Sequence, residues 1–310
     1  MIKNEPINQT KLFGLNKFMN ELIYLYEHDK LPNKIFLSGQ KGLGKSTLAY
    51  HFINFVLSKN ENFAYDIKNF EINLQNQSFK TILNKSNLNF FLIDVNFESK
   101  FIDINQVREL ISNLNKSSLN NKPRFILIDN VEFLNLNSIN ALLKVIEEPS
   151  NNTYFILVSN NKKVLPTLLS RCINFKISLS NNEILQITNK LLDRDLNEVI
   201  NKDLINYYST PGNIINLFKF AENNKYNLKN INLKEFLKII IENNHYKKDI
   251  SLRYIFFDFI EFYFSKINSK LSLNIYDKYN YFLKRISDSK RFNLDEESLF
   301  IEFEDKILNG

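Results

Sequence analysis

The chain has 310 residues, a formal net charge of +6, 44% hydrophobic and 24% charged residues, which is room for about two or three globular domains. A single cysteine, Cys172, excludes an internal disulfide and a cysteine-based zinc site, and the three histidines, His28, His51 and His245, are too far apart in sequence for ligand spacing. The stretch MIKNEPINQTK lacks the apolar core of a signal peptide, and the most apolar run, 254–264, is broken by Asp258 and Glu261 and falls short of the ~20 residues of a bilayer span; a cytoplasmic protein with no membrane partner is expected.

Residues 35–38, IFLS, form a short apolar run ending at Gly39 and predict a buried strand. From Lys45 to about Leu57 the spacing of Leu48, Phe52, Phe55 and Val56 predicts a helix. Residues 60–89 are polar and Asn-rich and predict loops and small elements. FFLIDV (90–95) predicts a second strand, and Ile104, Val107, Leu110, Ile111 and Leu114 mark an amphipathic helix. RFILID (124–129) is a third strand, 138–149 a helix ended by Pro149, TYFILVS (153–159) a fourth strand, and INFKI (173–177) a fifth after a short helix near 165–169. Strands alternating with helices predict an α/β, three-layer parallel sheet. Beyond Ser178 only helical signals remain, with a turn at 209–213 and a polar bridge at 223–234.

Gly39-Gln40-Lys41-Gly42-Leu43-Gly44-Lys45-Ser46 fits the pattern G-x-x-x-x-G-K-[ST], with a strand before it and a helix after it. Glycines let the backbone N–H groups turn inward around phosphates, and the helix that follows points its positive end at the same anion. Lys45 supplies a point charge for the outer phosphates, and Ser46 offers a hydroxyl to Mg²⁺. Gly39, Gly42, Leu43, Gly44, Lys45, Ser46 and Thr47 are therefore the expected nucleotide-binding residues. Asp129 ends the third strand, where it would support Mg²⁺ opposite Ser46. Asn130 follows it, and a carboxamide cannot accept a proton as a general base does. Glu132 is read as a solvated turn residue.

These motifs, with NALLKVIEEPS (140–150) and ILVSNNKKVLPTLLSRC (156–172), resemble the clamp-loader branch of the AAA+ ATPases. Leu-Leu-Lys…Glu-Glu-Pro followed about twenty residues later by Ser-Arg-Cys is specific to that branch. The resemblance covers residues 10 to about 220 by motif and the remainder by helical character. Within the branch the chain looks most like the delta-prime type of bacterial DNA polymerase III subunit.

The resemblance implies an AAA+ P-loop nucleotide-binding domain over 1–178, a helical lid over 179–225 and an all-α collar for oligomerisation over 226–310. It implies ATP or ADP with Mg²⁺, Asn160 as a residue sensing the γ-phosphate, and Arg171 as an arginine finger acting in a neighbouring subunit's site. Lys30-Leu31-Pro32 lies where the family contacts adenine, and Gly14 in its N-terminal segment. The implied partners are gamma/tau-type ATPase subunits and delta-type subunits and, through the complex, a sliding clamp and primed DNA. The implied role is as a component of a DNA-directed DNA polymerase holoenzyme.

The chain departs from the ATPase subunits of the branch at Asn130, where they carry Glu. It also lacks the four cysteines of their zinc module, and Asn213 stands where an arginine often does. These departures favour a subunit that binds nucleotide and hydrolyses little; the alternative is an active AAA+ ATPase, a motor subunit or a helicase-loading or repair enzyme. The crowding of Phe256, Phe257, Phe259, Ile260, Tyr263 and Phe264 covers most of a helix circumference, which calls for a second partner surface and agrees with collar assembly. Lys116, Lys122, Arg124, Lys162 and Lys163 are candidate phosphate contacts for DNA.

Overall fold

The computed structural model of the chain describes residues 5–95, 101–115, 120–160, 164–206, 209–248, 250–267, 273–292 and 296–309. The chain divides into two compact units, Met1–Glu183 and Ile184–Gly310.

The first unit is built on a five-stranded sheet of β1 (Lys34–Ser38), β2 (Phe90–Ile93), β3 (Arg124–Ile128), β4 (Thr153–Ser159) and β5 (Ile173–Lys176), in the order β2-β3-β4-β1-β5. Every pairing is parallel. Parallel strands covered on both faces need apolar side chains at consecutive positions, and Phe125 to Ile128 are all fully buried. Successive side chains point to opposite faces. Ile35, Leu37, Phe125, Leu127, Ile156 and Val158 therefore enter one core, with α1 (Asn16–Glu27), α2 (Lys45–Ser58) and α3 (Gln77–Leu83). Phe36, Ile126, Ile128, Phe155 and Leu157 enter the other, with α4 (Ile104–Leu114) and α5 (Leu136–Glu147). This is the expected three-layer arrangement. The predicted strands coincide with the observed ones to within about two residues.

Helix α2 is buried almost all round, from Leu48 to Ser58. It runs through the middle of one layer, so its N-terminus is fixed at the end of β1. Asn76 caps α3, Asp103 caps α4 and Asn135 caps α5, each accepting a backbone N–H of the first turn. A short helix α6 (Pro166–Leu169) precedes β5.

Helix α7 (Asn181–Leu192) leads into the second unit, where α8 (Leu196–Val199), α9 (Pro211–Asn224), α10 (Leu233–Glu242), α11 (His245–Lys248), α12 (Ile250–Ile267), α13 (Leu273–Phe292) and α14 (Glu296–Phe303) follow. Asn232 and Glu235 form a reciprocal capping box at the start of α10. On α12, Phe256, Phe257, Phe259, Ile260 and Phe264 are all at most 3% exposed in the chain. Phe259 packs on Phe236 of α10 and Phe256 on Phe300 of α14. The apolar circumference of α12 is thus covered by its own neighbours, which removes the expectation that it needs a second partner surface. Among the described residues, no helix is long and apolar enough to cross a membrane.

Candidate nucleotide site

The loop between β1 and α2 turns on glycines at positive φ: Gly39 at 148°, Gly42 at 87° and Gly44 at 85°. Only glycine adopts these angles without strain. At Gly39 there is also no room, because a Cβ there would collide with the Ile177 carbonyl oxygen. Leu43 is buried in the core and holds the loop down, while Ser46 and Thr47 are half-buried in the first turn of α2.

Lys45 is 3% exposed. Its Nζ donates to the Gln40 carbonyl at 2.6 Å and to Asn160 Oδ1 at 2.9 Å. Burial lowers its pKa to about 8, against the opposing pull of Asp129 and Glu132. Opposite it, Asp129 is buried at the end of β3 beside Ser46, whose hydroxyl favours the ionised carboxyl. Burial, reinforced by Asp94, pushes the Asp129 carboxyl up to about 6.

Two amides join these charges. Asn130 has a left-handed backbone, φ 54°, that turns its side chain across the strand ends. Its Nδ2 donates to Asp94 Oδ1 at 2.8 Å, and its Oδ1 accepts from Asn160 Nδ2 at 2.8 Å. A continuous chain therefore runs from Asp94 through Asn130 and Asn160 to Lys45. Asp94 was not among the expected site residues; its position at the end of β2, in register with the end of β3, was the available signal.

Glu132 departs from expectation. It is half-buried rather than solvated: Oε2 receives the Asn160 N–H at 3.4 Å, and Oε1 is buried without a hydrogen-bond partner. The cause is the turn Val131–Phe133, pinned by Val131 at 1% exposure.

Arg171 lies in the turn after α6, away from these contacts. Its Nε and Nη2 donate to Glu147 Oε1 at 2.9 and 2.6 Å, and Nη1 donates to the Thr167 carbonyl at 2.6 Å. The neighbouring Cys172 packs against the core, and its half-buried thiol has a pKa raised by burial to about 11. Leu31 packs on the core beside α1 and α2, Lys30 is exposed, Pro32 is half-buried, and Gly14 is exposed at φ 71°. In the second unit, Asn213 sits in the first turn of α9, its N–H donating to Thr210 Oγ1.

Of the candidate DNA contacts, Lys122 pairs with Glu61 at 3.3 Å and donates to the Leu57 carbonyl, and Arg124 donates to the Leu114 carbonyl. These two serve the domain's own fold. Lys116, Lys162 and Lys163 lie outside the described residues. No cluster of metal-ligating side chains is present among the described residues.

A glycine-rich loop leading into a buried helix, with an acid at the neighbouring strand end, defines a P-loop fold of the AAA+ type. The chain belongs to the family described as DNA polymerase III, delta subunit, whose model matches residues 14–181, more than half its length. It is 28% identical over 240 residues to DNA polymerase III subunit gamma of Buchnera aphidicola subsp. Schizaphis graminum, covering 74% of this chain and 63% of that one. It is 30% identical over 160 residues to subunit delta' of Buchnera aphidicola subsp. Baizongia pistaciae, covering 49% and 46%. The chain thus spans less than two thirds of the length of these relatives. Among solved structures, a gamma subunit-related DNA polymerase III protein of Thermotoga maritima aligns with a TM-score of 0.48 at 16% identity, covering 90% of this chain and 96% of that chain.

Proposed function

We propose that this chain is a delta-prime-type subunit of a clamp-loader complex. It binds ATP or ADP with Mg²⁺ but hydrolyses little, and it donates Arg171 to the site of a neighbouring gamma/tau-type ATPase subunit. Together with a delta-type subunit, that assembly places a sliding clamp on primed DNA. The observation that carries this reading is Asn130. It occupies the position beside the metal-side Asp, it is neutral, and both ends of its carboxamide are engaged, so it does not activate water.

The residues present fit a Mg-nucleotide. Gly39, Gly42 and Gly44 turn the loop at positive φ, Lys45 is a buried cation at the loop, and Ser46 lies beside Asp129. Ser46 and Asp129 would hold the metal, which supplies charge neutralisation between the phosphates. Lys45 would exchange its bond to Asn160 for a phosphate oxygen, and Asn160 would then face the terminal phosphate. In the same proposal residues 179–225 form the lid and 226–310 the collar.

The test measures ATP binding and ATP hydrolysis separately, for the chain alone and with gamma/tau-type subunits. Expected is binding by the isolated chain with little turnover, and turnover in the assembly. Robust hydrolysis by the isolated chain overturns the reading.

One observation favours a second reading, an active AAA+ ATPase. The unpaired buried oxygen of Glu132 beside Asn160 offers a carboxylate where Asn130 offers none. On that reading Glu132→Gln abolishes turnover by the isolated chain.

A further inference from the structure

We propose that Glu147 is a positioning residue for Arg171, holding the guanidinium so that its remaining N–H groups are presented to a phosphate of a neighbouring subunit. The inference rests on the trans-finger reading above and assigns a second residue to it.

Both residues are anchored by the core beneath them. Glu147 is the last residue of α5, next to the fully buried Ile146, and its carbonyl accepts from Lys34 Nζ at 3.2 Å on β1. Arg171 follows α6, whose Leu168 is fully buried, and its own N–H donates to the Leu168 carbonyl at 3.3 Å. The partners are separated by 24 residues of chain, so the contact is a product of the fold and not of local turn geometry.

The pattern of donors decides what the contact does. A guanidinium offers two usable edges, one along Nε and Nη2 and one across the two Nη atoms. Glu147 Oε1 takes the Nε–Nη2 edge through both of its N–H groups, and the Thr167 carbonyl takes one N–H of Nη1. One N–H on each Nη is left to meet the oxygens of a phosphate. The Arg171 side chain is 34% exposed, so it is reachable by a partner while Glu147 and Thr167 hold it. A long flexible side chain restricted to one direction before its ligand arrives is preorganised, and less freedom is lost when the phosphate binds. A carboxylate and a carbonyl both stabilise the cation and leave two of its five N–H groups for a partner.

In this chain Glu-Glu-Pro ends α5 at the place from which its first Glu reaches the Arg of Ser-Arg-Cys.

The test uses the full chain assembled with gamma/tau-type ATPase subunits. Glu147→Ala is expected to lower the complex's kcat for ATP about tenfold, with KM for ATP and this chain's own nucleotide affinity unchanged. Glu147→Gln keeps an acceptor oxygen and is expected to retain most of the activity. In an Arg171→Ala background, Glu147→Ala is expected to add no further loss. Full activity of Glu147→Ala, or higher activity, beside an impaired Arg171→Ala overturns the positioning role and leaves the finger intact. An equal further loss in the Arg171→Ala background also overturns it, since Glu147 then supports only the end of α5. A fully active Arg171→Ala complex overturns the finger reading itself. Melting temperatures of the variants confirm that each is folded, and Glu147→Ser, too short to reach Arg171 and expected to show the same loss, carries the test if Glu147→Ala is not.

Discussion

The carboxamide of Asn130 accepts from Asn160 on one side and donates to Asp94 on the other, each at 2.8 Å. The direction of both bonds is fixed by Asp94, which as a carboxylate can only accept. Asn130→Asp removes the donor and sets a second carboxylate against Asp94. It is expected to destabilise the chain by about 1 kcal/mol, the scale of a half-buried polar pair left unmatched. The swapped double variant, Asp94→Asn with Asn130→Asp, restores a donor facing an acceptor and is expected to recover most of that loss. Urea unfolding of the two single variants and the double variant checks this; additive losses would show that the two side chains do not act as a pair.

Lys45 donates to the loop's own Gln40 carbonyl and to the Asn160 side chain, and it does so from a nearly fully buried position. Burial depresses its pKa, so the ammonium is costly in the free chain. Lys45→Met is therefore expected to weaken Mg-nucleotide binding about ten- to a hundred-fold, the scale of a charge-assisted hydrogen bond, while the melting temperature of the free chain changes little. Isothermal titration with Mg-ADP and a thermal melt separate the two effects. Unchanged affinity would remove Lys45 from the site.

Gly39 combines a φ of 148° with contact against the Ile177 carbonyl. Gly14 has φ 71° but is exposed. Gly14→Ala is expected to cost only the left-handed backbone penalty, about 1–2 kcal/mol. Gly39→Ala is expected to cost more than that and to abolish nucleotide binding, since the loop must move off β5's end to admit the methyl group. Parallel urea titrations rank the two, and equal losses would mean the crowding at Gly39 is relieved freely.

The sheet was legible because parallel strands buried on both faces leave continuous apolar runs, as in Phe125 to Ile128. Helix α1 was missed, although Met19, Leu22 and Ile23 are its buried face; polar Asn16, Lys17, Asn20 and Glu21 between them hid the period. The phosphate loop was legible from its spacing alone, since glycine positions and a Lys-Ser pair carry their own geometry. Asp94, Glu132 and Glu147 were not. Each acquires its role from a partner 24 to 36 residues away in sequence, a pairing that no local pattern encodes. The apolar α12 misled in the opposite direction, because the sequence does not tell whether a helix is covered by its own unit or by another chain.

His51 offers a readout of the first unit's packing. It is fully buried on α2, with Nε2 2.9 Å from the Gln9 carbonyl and Nδ1 2.9 Å from the Tyr65 hydroxyl. A neutral ring satisfies both, donating from Nε2 and accepting at Nδ1. Burial lowers its pKa to about 4, against the ordinary 6.5 of the unfolded chain. The unfolded state thus binds the extra proton between these values, and this contribution to stability is complete above pH 6.5 and is lost as pH falls toward 4. The loss amounts to about 3 kcal/mol. Asp129 acts with the opposite sign: its carboxyl, raised to about 6 from 3.8, takes up a proton in the folded state first, so acid relieves a buried charge over the same range. The wild-type chain is therefore expected to show a shallow pH dependence between 6 and 4, and Asp129→Asn to unmask the full acid sensitivity of His51. Urea midpoints at pH 7, 5.5 and 4 for both proteins test the pair, with the His51 ring followed by NMR. A ring that protonates near pH 6.5 in the folded protein would show that α2 is not buried as described.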